Sequence, residues 1–144
     1  MNKLSSPLSM RWGWLNWPAY ARRTVTFAFI LLVNWMLLSP AKTFEDVQVF
    51  FKYQDKLVHF GMFAVLAGLL RWSIPDPWGR GGKRIALILA LIAYGATTEC
   101  VQLLMPGLGR SFEWMDMCMD GIGVILGAWC CERLALSENL NSGF

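Results

Sequence analysis

Charge is scarce in this 144-residue chain: Asp, Glu, Lys and Arg make up only 16% of it, against ~25% in soluble domains. There is one histidine, His59, and the four cysteines, Cys100, Cys118, Cys130 and Cys131, form no CxxC. That argues against a zinc cage of Cys and His. No P-loop, GxSxG or HExxH is present, so the phosphate loop, the serine elbow and the zinc-protease helix are excluded. The basic residues form no single stripe, which speaks against a nucleic-acid partner. Internal repeats and low-complexity segments are also missing. What is plentiful is apolar: 56% of the residues are hydrophobic and eight are Trp. A domain of this length has a large surface relative to its core. A soluble fold would leave much of that apolar surface in water. The composition instead suits a small all-α bundle dissolved in membrane lipids, with Trp at the interfaces.

Four apolar segments are expected to cross the membrane. The first, 24–41 (TVTFAFILLVNWMLLSPA), is 18 residues without a charge, close to the ~20 that span a bilayer. The second, 56–73, has its apolar centre between Lys56 and Arg71. The third, 84–105, is interrupted by Glu99 and stops at Pro106-Gly107. The fourth, 114–136, carries Asp116 and Asp120 in its first turns. Together they predict one polytopic four-helix domain over 24–136. Residues 1–23, with Trp12, Trp14, Trp17 and Tyr20, read as an interfacial lead-in, and 137–144 as a tail. With the N-terminus inside, nine Lys and Arg fall on the inner side (Lys3, Arg11, Arg22, Arg23, Arg71, Arg80, Lys83, Arg84 and Arg133). Four fall outside (Lys42, Lys52, Lys56 and Arg110). This places both termini in the cytoplasm and the protein in the inner, cytoplasmic membrane. Arg22-Arg23, the first apolar run and Ser39-Pro40-Ala41 also imitate a signal peptide, but the long lead and Asn34-Trp35 within the core favour a retained helix. Asn34 is expected to hydrogen-bond to a neighbouring helix.

The polar residues of three segments then fall at one end. Asp55, Lys56 and His59 open the second segment, Glu99 and Gln102 lie near the end of the third, and Asp116 and Asp120 open the fourth. Arg110 sits in the short outer loop. Asp55/His59 and Asp116/Asp120 are spaced i,i+4 and Glu99/Gln102 i,i+3, so each pair shares a helix face. The same faces continue as Gly95, Gly123 and Gly127, where small residues let helices approach. Each stripe is polar at the outer end and small below it, the pattern of a tight bundle with a polar pocket at one mouth. Ionisable residues within a membrane point to function, although Glu99–Arg110 or Asp116–Arg110 pairs would also staple helices. Asp55 suits an N-cap, and Glu113 reads as a solvated residue beside the first turn. The cysteines read as small hydrophobes, with a Cys100–Cys118 bridge as a lesser option.

DKLVHF (55–60), ECVQ (99–102) and GRSFEWMDMCMDGIG (109–123), in that order, resemble the VanZ-like membrane proteins. That family shows DKxxHF opening one membrane helix, ExxQ near the end of the next, then an Arg, an Asp and an Asn ahead of spaced glycines. The resemblance covers about 55–127 and maps the family's polar positions to Asp55, Lys56, His59, Glu99, Gln102, Arg110 and Asp116, with Gly123 and Gly127. Asp120 stands where the family usually has Asn. The resemblance implies a bacterial cell-envelope protein, and its founding member is linked to resistance to teicoplanin, a glycopeptide with a lipid tail.

Two functions from different classes follow. One is a binding or modulating protein that holds a lipid-linked or lipopeptide ligand at the outer mouth through Asp55, Lys56, His59, Glu99, Gln102, Arg110, Asp116 and Asp120. Lys56 and Arg110 would meet anionic groups and the carboxylates amines or hydroxyls. The other is an enzyme acting on an outer-leaflet lipid, with His59, Glu99 and Asp116 as candidate catalytic residues. Transport is less favoured, because the inner halves of the segments lack polar steps. A structural partner in a larger assembly is the remaining class; the oligomeric state has no signature in the sequence. No cofactor and no metal ligands are assigned, an oxygen-rich Mg²⁺ or Ca²⁺ site being the lesser alternative.

Overall fold

A computed structural model describes residues 17–44, 53–74 and 82–141, so the expectations for 1–16 and most of the loop 74–84 lie outside the described residues. The architecture is all-helical. Helix α1 runs Ala19–Leu38, α2 Gln54–Ser73, α3 Gly82–Leu104 and α4 Trp114–Asn141, with short 3₁₀ turns at Ala41–Phe44 and Pro106–Leu108. By length and composition, α1, α3 and Trp114–Leu134 of α4 can cross a membrane. Helix α2 has the 20 residues of α1, but carries Asp55, Lys56, His59 and Arg71.

The helices alternate in direction. Helix α1 ends, α2 begins, α3 ends and α4 begins at one end of the bundle, called the mouth below. The opposite end is tied by Arg22 Nη1 donating to the Trp72 carbonyl at 2.9 Å and by an Arg84–Glu132 ion pair. There the Thr26 hydroxyl pairs with Ser73 Oγ, and Ser73 Oγ donates to the Arg22 carbonyl. The short hydroxyl side chains answer polar groups that lipid cannot. Trp17 packs its ring 5.9 Å from that of Trp72 at the same end.

The core joins Val33 and Leu37 of α1, Met62, Phe63, Leu66 and Ala67 of α2, Leu91 of α3, and Val124 and Ala128 of α4. Residues 19–39 are thus part of the bundle. The outer surface is apolar: Phe27, Leu31, Trp35, Val65, Leu89, Ile125 and Trp129 are exposed. Such a surface belongs in hydrocarbon rather than water.

Helices α2 and α4 make the closest approach, and glycine is the reason. A Cβ at Gly127 would collide with the Ala64 backbone, and one at Gly123 with the Phe60 carbonyl and the Ala64 nitrogen at 3.1 Å. Gly95 of α3 makes room for the Asp120 carboxylate and the Phe63 ring, which would stand 2.9 and 3.3 Å from a Cβ.

Several local expectations change. Helix α1 begins five residues before the charge-free run, so Arg22 and Arg23 lie inside it. Asn34 donates to the Ile30 carbonyl of its own helix at 2.8 Å rather than to a neighbour. Tyr53, not Asp55, occupies the N-cap of α2. All four thiols are free, and Cys100, Cys118 and Cys130 face outward.

Candidate functional site

The mouth is built from four helix ends. Lys56, in the first turn of α2, is buried and directs its ammonium to Asp55 at 2.9 Å, Glu113 at 2.5 Å and Asp116 at 3.1 Å. An ammonium has three donors, and each has a carboxylate. One turn deeper, His59 Nδ1 meets Asp120 Oδ1 at 3.0 Å, both side chains being buried. Glu99 reaches across from α3 and accepts the Glu113 backbone N–H at 3.1 Å through Oε2. That N–H belongs to the residue before α4, so the carboxylate meets the positive end of the helix dipole. Its second oxygen, Glu99 Oε1, and Asp120 Oδ2 are buried and accept no hydrogen bond.

Two residues expected at the ligand, Gln102 and Arg110, direct donors to backbone carbonyls of the chain. Gln102 Nε2 donates to the Leu37 carbonyl at 2.8 Å. Arg110 Nε donates to the Ser39 carbonyl at 3.0 Å and its Nη2 to the Met36 carbonyl at 3.1 Å. Together they satisfy the last carbonyls of α1, which a helix cannot satisfy internally. Water does so at a soluble helix end; in a membrane, protein donors must. Arg110 therefore pairs with neither Glu99 nor Asp116, and the Nε–Nη2 edge that would grip a phosphate is already engaged. Burial draws its guanidinium below the usual arginine value, while the fields of Glu99 and Asp116 oppose the shift. It also lies over the Phe44 ring, 5.6 Å from the centroid.

The electrostatic balance is one-sided. Among the described residues, Asp55, Glu99, Glu113, Asp116 and Asp120 face two fixed cations, Lys56 and Arg110, both already engaged within the chain. The mouth is thus an acidic cluster able to accept positive charge or N–H and O–H donors, with the donors of Lys56 and Arg110 directed to groups of the chain. Glu113 enters it through both side chain and backbone. It stands one residue ahead of α4 and meets Lys56 of α2 and Glu99 of α3 there, rather than solvent alone.

His59, Glu99 and Asp116 come together: their possible ligand atoms all lie within 4.8 Å of one another. So do those of Asp55, Glu113 and Asp116, where the Lys56 ammonium already supplies the charge. The first group mixes one histidine with two carboxylates and contains no cysteine.

Membrane-length helices around a buried acidic cluster at one end define a small helical membrane protein with an internal polar site. A family model described as VanZ/LLP1 matches residues 8–135, and the chain belongs to that family. No curated protein and no solved structure matches it.

Proposed function

We propose that this VanZ-like membrane protein binds or modulates a lipid-linked or lipopeptide ligand of the bacterial envelope. In this reading α2 is a fourth span, the mouth faces away from the cytoplasm, and the ligand's polar head lies among Glu99, Asp116 and Asp120 while its chain rests on the apolar flank of the bundle. The observation that carries it is the pair of buried carboxylate oxygens without donors, Glu99 Oε1 and Asp120 Oδ2. A buried acceptor without a partner costs ~1–3 kcal/mol, and a bound head group or the cation it carries relieves that cost. Resistance to a lipid-tailed glycopeptide such as teicoplanin is one expression of such binding.

A specific observation favours a second reading. His59 with Asp120 at 3.0 Å is the oriented-imidazole arrangement of a general base. An acid–base enzyme acting on an outer-leaflet lipid would use that pair.

Native mass spectrometry of the full chain released from bacterial membranes tests the binding reading. An envelope lipid retained by the wild type and lost from Glu99→Gln, at equal expression and helicity, is the expected result. A wild-type chain that carries no lipid, or a variant that carries the same one, overturns it. Lipid profiles of cells with and without the protein separate the readings: a chemically altered lipid species supports catalysis.

A further inference from the structure

The mouth holds a set of side chains with the chemistry of metal ligands. His59, Glu99 and Asp116 come from three different helices, yet their ligand atoms fall within 4.8 Å. Around an ion with bonds of ~2.0–2.2 Å, neighbouring ligand atoms stand ~3–4 Å apart. Small side-chain movements close that difference.

Proximity of carboxylates does not by itself make a site, and a further fact points to a cation. Glu99 is 0% exposed, and its Oε1 accepts nothing from the protein. An ionised oxygen in that position is costly unless positive charge reaches it. Among the described residues, the two cations at the mouth do not: Lys56 is held by three carboxylates, and Arg110 by the carbonyls of Met36 and of Ser39, the C-cap of α1. The imidazole is also prepared for a ligand role. Its Nδ1 is engaged by Asp120, which leaves Nε2 as the remaining ring ligand. Outer carboxylates orient metal-binding histidines in this way. Size adds its own constraint, since His59, Glu99, Asp116 and Asp120 are each less than a tenth exposed. A site so enclosed has room for an ion, which a head group could then meet from the outer side.

We propose that His59, Glu99 and Asp116 bind one divalent transition-metal ion, Zn²⁺ or Mn²⁺, with Asp120 as the positioning residue behind His59. One imidazole and two carboxylates suit these ions better than Mg²⁺ or Ca²⁺, which prefer oxygen alone. Three protein ligands leave a coordination position open, through which the ion meets an anionic oxygen of a ligand head. Only that last step rests on the binding reading above; ion binding stands without it.

The full chain, purified in detergent and stripped with a chelator, is titrated with Zn²⁺ and separately with Mn²⁺. Elemental analysis is expected to give one ion per chain, and the ion to raise the thermal midpoint. His59→Ala and Glu99→Gln should abolish stoichiometric binding. Asp120→Asn should weaken it ~10–100-fold, with wild-type helicity and elution. Because substitutions at a buried site can unfold the chain, a second measurement uses unaltered protein: the Mn²⁺-loaded sample should show spin-resonance coupling to a single histidine nitrogen. Failure of the stripped wild type to take up either ion, absence of nitrogen coupling, or wild-type binding by folded His59→Ala and Glu99→Gln each overturns the proposal. Retention of the native lipid by chelated, ion-free protein leaves the binding reading standing and removes the ion from it.

Discussion

At the scale of single residues, similar polar side chains have separated into two jobs. Lys56, Gln102 and Arg110 direct their donors to groups of the chain itself, while Glu99 and Asp120 each keep an oxygen without a donor. Gln102→Leu tests the first job. It leaves the buried Leu37 carbonyl without its donor, which costs ~1–3 kcal/mol, so the thermal midpoint in detergent should fall. Lipid retention by the folded fraction should stay at the wild-type level; its loss would return Gln102 to the ligand site. In the sequence, the alternating spans put these residues at one end, and i,i+3 and i,i+4 spacing put each pair on one face. The sequence did not separate their jobs, because the acceptors for Gln102 and Arg110 are backbone carbonyls at the end of α1 and its C-cap, Ser39. Those carbonyls carry no residue identity and lie more than 60 positions away. Asn34 illustrates the same limit, since an i−4 carbonyl within its own helix took the donor expected to reach a neighbour.

At the scale of elements, the four helices were legible as apolar runs, and their ends less so. Arg22 and Arg23 lie inside α1 because a helix continues as long as its backbone bonds do, whether or not a span has begun. The glycine stripe of α4 was also legible. Its partner surface on α2 was not: Phe60, Ala64 and Gly68 recur every four residues but look like ordinary lipid-facing residues until α4 is laid against them. That contact makes a contrast testable within one helix. Gly127→Ala drives a methyl into the Ala64 backbone, which cannot move aside as a flexible side chain can, and should destabilise by ~2 kcal/mol or more. Gly121→Ala, with nothing within 4 Å, should be neutral or stabilising by up to ~1 kcal/mol through helix propensity. Thermal unfolding of the two variants reads the difference. Equal midpoints would mean that α2 and α4 do not meet at these glycines.

At the scale of the whole molecule, the arrangement explains why α2 is the least span-like helix in composition. It is packed against α1, α3 and α4 and buries Met62, Phe63, Leu66 and Ala67 among them. A helix shielded by neighbours needs less apolarity than one facing lipid, so it can carry Lys56 and His59 to the mouth. Helix α1, with 17% of its span window buried, has no such shelter and is accordingly free of acidic residues. The alternating helices put Arg22, Arg23, Arg71, Lys83, Arg84 and Arg133 at the end opposite the mouth, against Lys42, Lys56 and Arg110 on the mouth side. Positive residues near span ends stay in the cytoplasm, so this asymmetry orients the acidic cluster outward only if α2 crosses with the others. Fusions test both points together. A fluorescent reporter after Phe144 should fold and fluoresce, while alkaline phosphatase at the same place stays inactive. Ser111→Cys, between α3 and α4 in a chain freed of its native cysteines, should react with an impermeant maleimide added to intact cells. Labelling only after lysis would turn the mouth to the cytoplasm and remove outer-leaflet lipids from its reach. An active phosphatase at the C-terminus together with outside labelling at Ser111 would mean that α4 does not cross.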